Sequence, residues 1–150
     1  MMGLWILLHI GGLVFWLGGG FASMVIGLRG RVEDRPTQGA VTRLQAQLQR
    51  TLVAPGAVLT LVSGVFLTAR VMTAGAPPSA WLMLMQGAGV IAALIVFFVT
   101  LPTSARLSRI NPTGDGAALF DALRKRIAVS GSIAGTLGLL ALVAGVFNKY

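Results

Sequence analysis

The chain has 150 residues, of which 55% are hydrophobic and only 11% charged, with 20 glycines, a formal net charge of +8 and no cysteine. A water-facing surface needs far more charge, and without cysteine there is no disulfide, thiolate metal site, iron–sulfur cluster or cysteine nucleophile. The charges fall in short clusters and leave four uncharged stretches, 2–28, 51–69, 71–105 and 127–148. Each is long enough for a helix to cross a bilayer core of about 30 Å. The expectation is an all-α, four-helix transmembrane bundle in one membrane domain, 1–150, with spans near 3–28, 51–70, 81–102 and 127–147. A cytoplasmic enzyme, a secreted domain and a disordered tail are excluded.

The first span, Met1 to Leu28, lacks a basic leader and is followed, not preceded, by arginines. It reads as a retained helix and not as a signal peptide. Along it Trp5, His9, Gly12, Trp16, Gly19 and Ser23 recur at 4-3-4-3-4 spacing and so share one face, directed at protein. His9 is the one histidine of the chain and the one ionisable residue inside this span. An imidazole inside a membrane must be satisfied, which makes it the leading candidate for function; the alternative is a structural imidazole hydrogen-bonded to a backbone carbonyl or to interfacial water, which glycine-rich neighbours would allow.

After span one come Arg29, Arg31, Arg35, Arg43 and Arg50; after span three come Arg106, Arg109, Arg124, Lys125 and Arg126; the link 73–80 is uncharged. Short arginine-rich loops stay on the cytoplasmic side. The expected topology in a bacterial inner membrane therefore has both termini outside, with Trp5 and Trp81 at the outer boundary. In 41–52, Val41, Leu44, Leu48 and Leu52 predict an amphipathic helix on the membrane surface leading into span two, where Pro55 kinks or starts the span. In the second basic loop Asn111-Pro-Thr-Gly114 reads as a turn, Asp115 as a cap, and Leu119, Phe120, Leu123 and Ile127 as the apolar side of a helix entering span four. The basic loops are expected to meet anionic lipid headgroups, not nucleic acid.

Two stretches match: Leu59-Thr-Leu-Val-Ser-Gly-Val-Phe66 and Leu140-Ala-Leu-Val-Ala-Gly-Val-Phe147 agree at Leu, Leu, Val, Gly, Val and Phe, 81 positions apart, an offset that also pairs Arg43 with Arg124. This raises a duplication into two parallel hairpins. A composition rich in Leu, Val and Gly produces such matches by chance, and the same offset aligns spans one and three poorly. In span four a small-xxx-small row, Gly131 and Gly135 continuing near Gly138 and Gly145, is expected to pack helices closely, as are Gly11, Gly12 and Gly18 to Gly20 in span one.

On the outside-termini topology Arg70, Met83, Met85, Gln86, Asn148 and Lys149 lie at the level of His9. An imidazole with a thioether, an arginine and an amide is adequate for a haem iron and its propionates. The expected set is His9 as axial ligand of haem b, Arg70 as propionate partner, and Met83, Met85 or Gln86 near the other side. Every carboxylate (Glu33, Asp34, Asp115, Asp121) is in a basic loop, which excludes a mid-membrane proton carrier or cationic-drug site.

Leu7-Leu-His9, Phe15-Trp-Leu-Gly-Gly19, Arg50-Thr-Leu-Val-Ala-Pro55, Leu59-Thr-Leu and Gly64 resemble the HemJ-type protoporphyrinogen oxidase and copper-resistance-D-like group of small bacterial membrane proteins. The resemblance covers roughly the first 70 residues and implies haem on His9. The group's lysine shortly after the third-span tryptophan and its further histidine are missing, because Trp81 is followed by Leu-Met-Leu-Met-Gln86. Porphyrinogen oxidation is therefore not expected. The competing expectation is a non-catalytic accessory subunit packing its helices within a larger respiratory, photosynthetic or transport complex; the partners expected overall are a homo-oligomer or other membrane subunits. A copper-handling role is a weaker third reading, since Met and His suit Cu(I).

Overall fold

The structure, a computed structural model, describes residues 2–75, 77 and 79–147. Four helices long and apolar enough to cross a membrane account for almost all of them: Met2–Val32, Arg35–Thr73, Ala80–Leu107 and Gly114–Phe147. They make an all-α four-helix bundle and a multi-pass membrane protein. Large apolar side chains stand on the outside, Leu7 at 66%, Val65 at 68% and Phe98 at 74% exposure, as a lipid solvent requires.

Each helix starts or ends for a local reason. Asp34 accepts the Thr37 N–H at 3.1 Å and caps the second helix, whose next position is filled by Arg35 followed by Pro36. Ser79 caps the third by accepting from the Leu82 N–H at 3.0 Å. Asn111 Oδ1 takes both the Thr113 N–H, at 3.1 Å, and its hydroxyl, at 2.8 Å, closing the expected turn. Asp115 lies within a 3-10 turn, Gly114–Gly116, that runs into the last helix.

Three expectations change. The amphipathic segment begins at Arg35, earlier than expected, and runs straight into span two as one 39-residue helix. It does not lie flat, because Val41 packs on Gly30 and Gln45 on Gly27, so it stays alongside the first helix. Pro55 and Pro102 neither start a span nor break one. Each follows a π turn, Gln49–Val53 and Val96–Thr100, in which the Ala54 and Leu101 N–H groups donate five residues back, to the carbonyls of Gln49 and Val96. The wider turn gives the proline ring room and takes up the hydrogen bond it cannot donate. Finally, Gly131 and Gly135 do not mediate close packing: a Cβ on either would meet nothing within 4 Å, whereas Gly138 seats Leu17 and Gly145 seats Met85.

The bundle is two hairpins. Helix one packs along helix two, and helix three along helix four. The face expected on helix one is the one buried, since Gly12, Trp16, Gly19 and Ser23 are its buried residues. Gly12 and Gly56 bring the backbones together, as a Cβ on Gly56 would lie 2.5 Å from the Trp16 nitrogen and 2.7 Å from the Gly12 oxygen. The expected hairpin likeness extends to packing. In helix two Val53, Ala57, Thr60 and Ser63 are buried; 81 positions on, so are Ala134, Gly138, Ala141 and Ala144. Helices one and three correspond at a different offset, 76, which pairs Trp5 with Trp81 and the buried Gly12 and Trp16 with the buried Ala88 and Ala92. Each tryptophan then meets the equivalent phenylalanine, Trp5 stacking on Phe66 at 4.0 Å between ring centroids and Trp81 tilting on Phe147 at 5.6 Å. The hairpins differ in their π turns, which fall on helices two and three and have no counterpart in one or four.

Candidate functional site

His9 sits where the two helices of the first hairpin meet, half-buried. Its Nδ1 is 2.9 Å from the Thr60 carbonyl oxygen and 3.2 Å from Ser63 Oγ. A carbonyl only accepts, so Nδ1 carries a proton and donates, and among the described residues no hydrogen bond engages Nε2. Ser63 in turn donates its hydroxyl to the Leu59 carbonyl, and the Thr60 hydroxyl donates to Gly56 O at 2.8 Å. Gly64 makes the approach possible: a Cβ there would stand 3.2 Å from His9 Cε1. One turn of helix two therefore supplies a carbonyl, a hydroxyl and a bare backbone to one imidazole.

The rest of the expected set is not gathered around that ring. Arg70 is exposed at the end of helix two. Met83 points outward, 62% exposed. Met85 belongs to the second hairpin, with its sulfur 3.1 Å from where a Cβ of Gly145 would be. Gln86 donates to Thr68 Oγ1 at 2.6 Å and ties helix three to helix two one turn beyond Gly64. Asn148 and Lys149 lie outside the described residues. No hydrogen bond, ion pair or ring contact joins His9 to any of the other four among the described residues, and no group of three or more His, Cys, Asp or Glu side chains there could hold a metal ion. Of the expected set, then, only His9 stands at this place among the described residues, held by Thr60 and Ser63 and not by Arg70, Met83, Met85 or Gln86.

At the other end of the bundle the basic segments are joined. Arg35 makes a two-pronged ion pair with Asp121, at 2.7 and 3.0 Å, and Arg124 donates to Gln38 Oε1 at 2.7 Å. The hydrogen bond from Arg35 holds the Asp121 carboxyl below its ordinary value of 3.8. Between this end and the bundle centre is a feature the sequence did not announce, a cavity of about 380 Å³ reached by all four helices, with Trp16, Gln49, Thr100 and Gly131 among its walls. Both π turns border it. The two prolines were the available signal, but only the assembled bundle shows that their turns open on one space.

Comparison with known proteins returns nothing that bears on this site: no family model matches the chain, and no curated protein or solved structure matches it either.

Proposed function

We propose that the protein is a haem-binding protein of the bacterial inner membrane, both termini outside, in which His9 Nε2 is an axial ligand of haem b with a redox or haem-metabolism role. The observation that carries this is the contrast between the hairpins. At the equivalent place in the second hairpin stand Met85, Ala141 and Ala144, an apolar set that packs well. The first hairpin has His9, Thr60 and Ser63 instead, so the polar trio exceeds what packing requires. The backbone bond at Nδ1 is the arrangement that orients a ligating imidazole and raises its basicity. The chain offers one axial ligand, and the other comes from water, an external ligand or His9 of a second copy. The test is an absorption spectrum of protein purified with haem supplied. A Soret band lost in His9→Ala and kept in Met85→Ala supports the reading; colourless wild type overturns it.

A second reading, an accessory subunit packed against other membrane helices, is favoured by Gly11 and Gly18, two turns apart on helix one, where an added Cβ would meet nothing within 4 Å. Such open notches admit a neighbouring helix. Native mass spectrometry from gently solubilised membranes tests it, through stoichiometric partner chains.

A further inference from the structure

The cavity bordered by the π turns contains an unfinished polar contact. Gln49 is 6% exposed and is among the residues that line the cavity, and its Oε1 is buried without a hydrogen-bond partner among the described residues. A buried amide oxygen left bare is costly, so such a group points to a donor that the protein itself does not supply. Around it the wall is mostly apolar, with Trp16, Val53, Val96 and Leu139, and also takes in Ser23, Thr100 and Thr136. The mouth is basic: Arg31 and Arg124 line it, and an outer recess that shares both arginines also touches Lys125 and Asp121. Asp121 is already engaged by Arg35, which leaves the mouth complementary to an anion.

We propose that this cavity binds a single-chain anionic glycerophospholipid of the lysophosphatidate class. The phosphate sits at Arg31 and Arg124, the free glycerol hydroxyl donates to Gln49 Oε1, and the one acyl chain lies on the apolar wall. Depth selects this order. Gln45 packs on Gly27, and Arg31 is one turn above Gly27 while Gln49 is one turn below Gln45. The two levels are about 11 Å apart along the helices. Gln49 therefore lies deeper than Arg31, so the donor belongs on the tail side of the phosphate, where a lysolipid carries its hydroxyl. At about 380 Å³ the cavity takes the polar end and the first part of one acyl chain, the rest running out between helices, and leaves no room for a second chain beside it. The glycines Gly131 and Gly135, open on this side, leave the chain its space. None of this depends on His9, which belongs to the opposite half of the bundle.

The experiment measures binding to the full chain in neutral maltoside micelles by native mass spectrometry and thermal shift. Four probes are compared: lysophosphatidic acid, its analogue lacking the free hydroxyl, lysophosphatidylcholine, and two-chain phosphatidic acid. Lysophosphatidic acid should bind one to one and about tenfold tighter than each of the others, as one hydrogen bond or one charge contact predicts. Gln49→Leu should bring it down to the level of its hydroxyl-free analogue, whose unchanged binding reports an intact fold. The pair Arg31→Gln and Arg124→Gln should weaken both phosphates together. Equal binding of the hydroxyl-free analogue or of lysophosphatidylcholine to wild type overturns the proposal. So does tighter binding of phosphatidic acid, or a cavity that takes up none of the four.

Discussion

His9 and Met85 occupy the same place in two like hairpins: each follows a tryptophan by four residues, Trp5 or Trp81, and each lies against a glycine of the next helix, Gly64 or Gly145. One position is polar and the other apolar, so the second hairpin serves as an internal control for the first. Giving the first hairpin the second one's residues, His9→Met with Ser63→Ala, should leave stability within about 1.5 kcal/mol, since volume and apolar character suit the site. The same variant should show no Soret band. Unfolding in mixed micelles and a visible spectrum of one preparation read both outcomes.

The close crossing at Gly12 and Gly56 predicts unequal alanine substitutions. On Gly56 the new methyl meets backbone atoms, which cannot rotate away, and on Gly11 it meets open space. Gly56→Ala should cost about 1–3 kcal/mol. Gly11→Ala should be neutral or slightly stabilising through helix propensity. Denaturant titration of the two variants beside wild type separates them.

Across the second hairpin the Thr100 hydroxyl and Ser130 Oγ pair at 3.2 Å, both residues buried. Thr100→Val and Ser130→Ala should each cost about 1 kcal/mol or less, near the mean for such bonds between membrane helices. The double variant should lose less than the sum, and a double-mutant cycle measures the difference.

How much of this was legible depends on the kind of regularity involved. The buried face of helix one could be read directly, because Trp5, His9, Gly12, Trp16, Gly19 and Ser23 lie in one segment at one period. The partners of His9, Thr60 and Ser63, could not, because nothing local states which helix meets which or in what register. The hairpin likeness was half visible. Its offset of 81 in helices two and four becomes 76 in helices one and three, and the five-residue difference in connection length hides the pairing of Trp5 with Trp81. Gly131 and Gly135 misled for a related reason: a small-xxx-small row signals either a close neighbour or an empty space, and here it borders the cavity. Met83, Met85, Gln86 and Arg70 were grouped by expected depth alone, and depth says nothing of azimuth, so the structure does not gather them around His9.

Acid should loosen the joined basic segments. Asp121 is held below its ordinary 3.8 by Arg35, so its native value lies under its unfolded one. The stabilisation is complete above the unfolded value and disappears as pH falls through the native one. Both groups are largely exposed, so the effect is small and fades in high salt. Asp121→Asn should remove that part of the pH dependence, followed by thermal melts between about pH 5 and pH 2.

The proposed orientation is testable without background, because the chain has no cysteine. Single cysteines at Glu33 and Thr113 should react with an impermeant maleimide only after the membrane is opened. One at Pro77 should react in intact cells. Labelling in the opposite sense would invert the topology and place His9 in the cytoplasmic leaflet.

The carbonyl that receives the His9 proton belongs to the very next stretch of chain to enter the lipid. The polar ring and the tightest glycine crossing are thus both settled between spans adjacent in the chain, so the first hairpin matches its own imidazole without calling on the second.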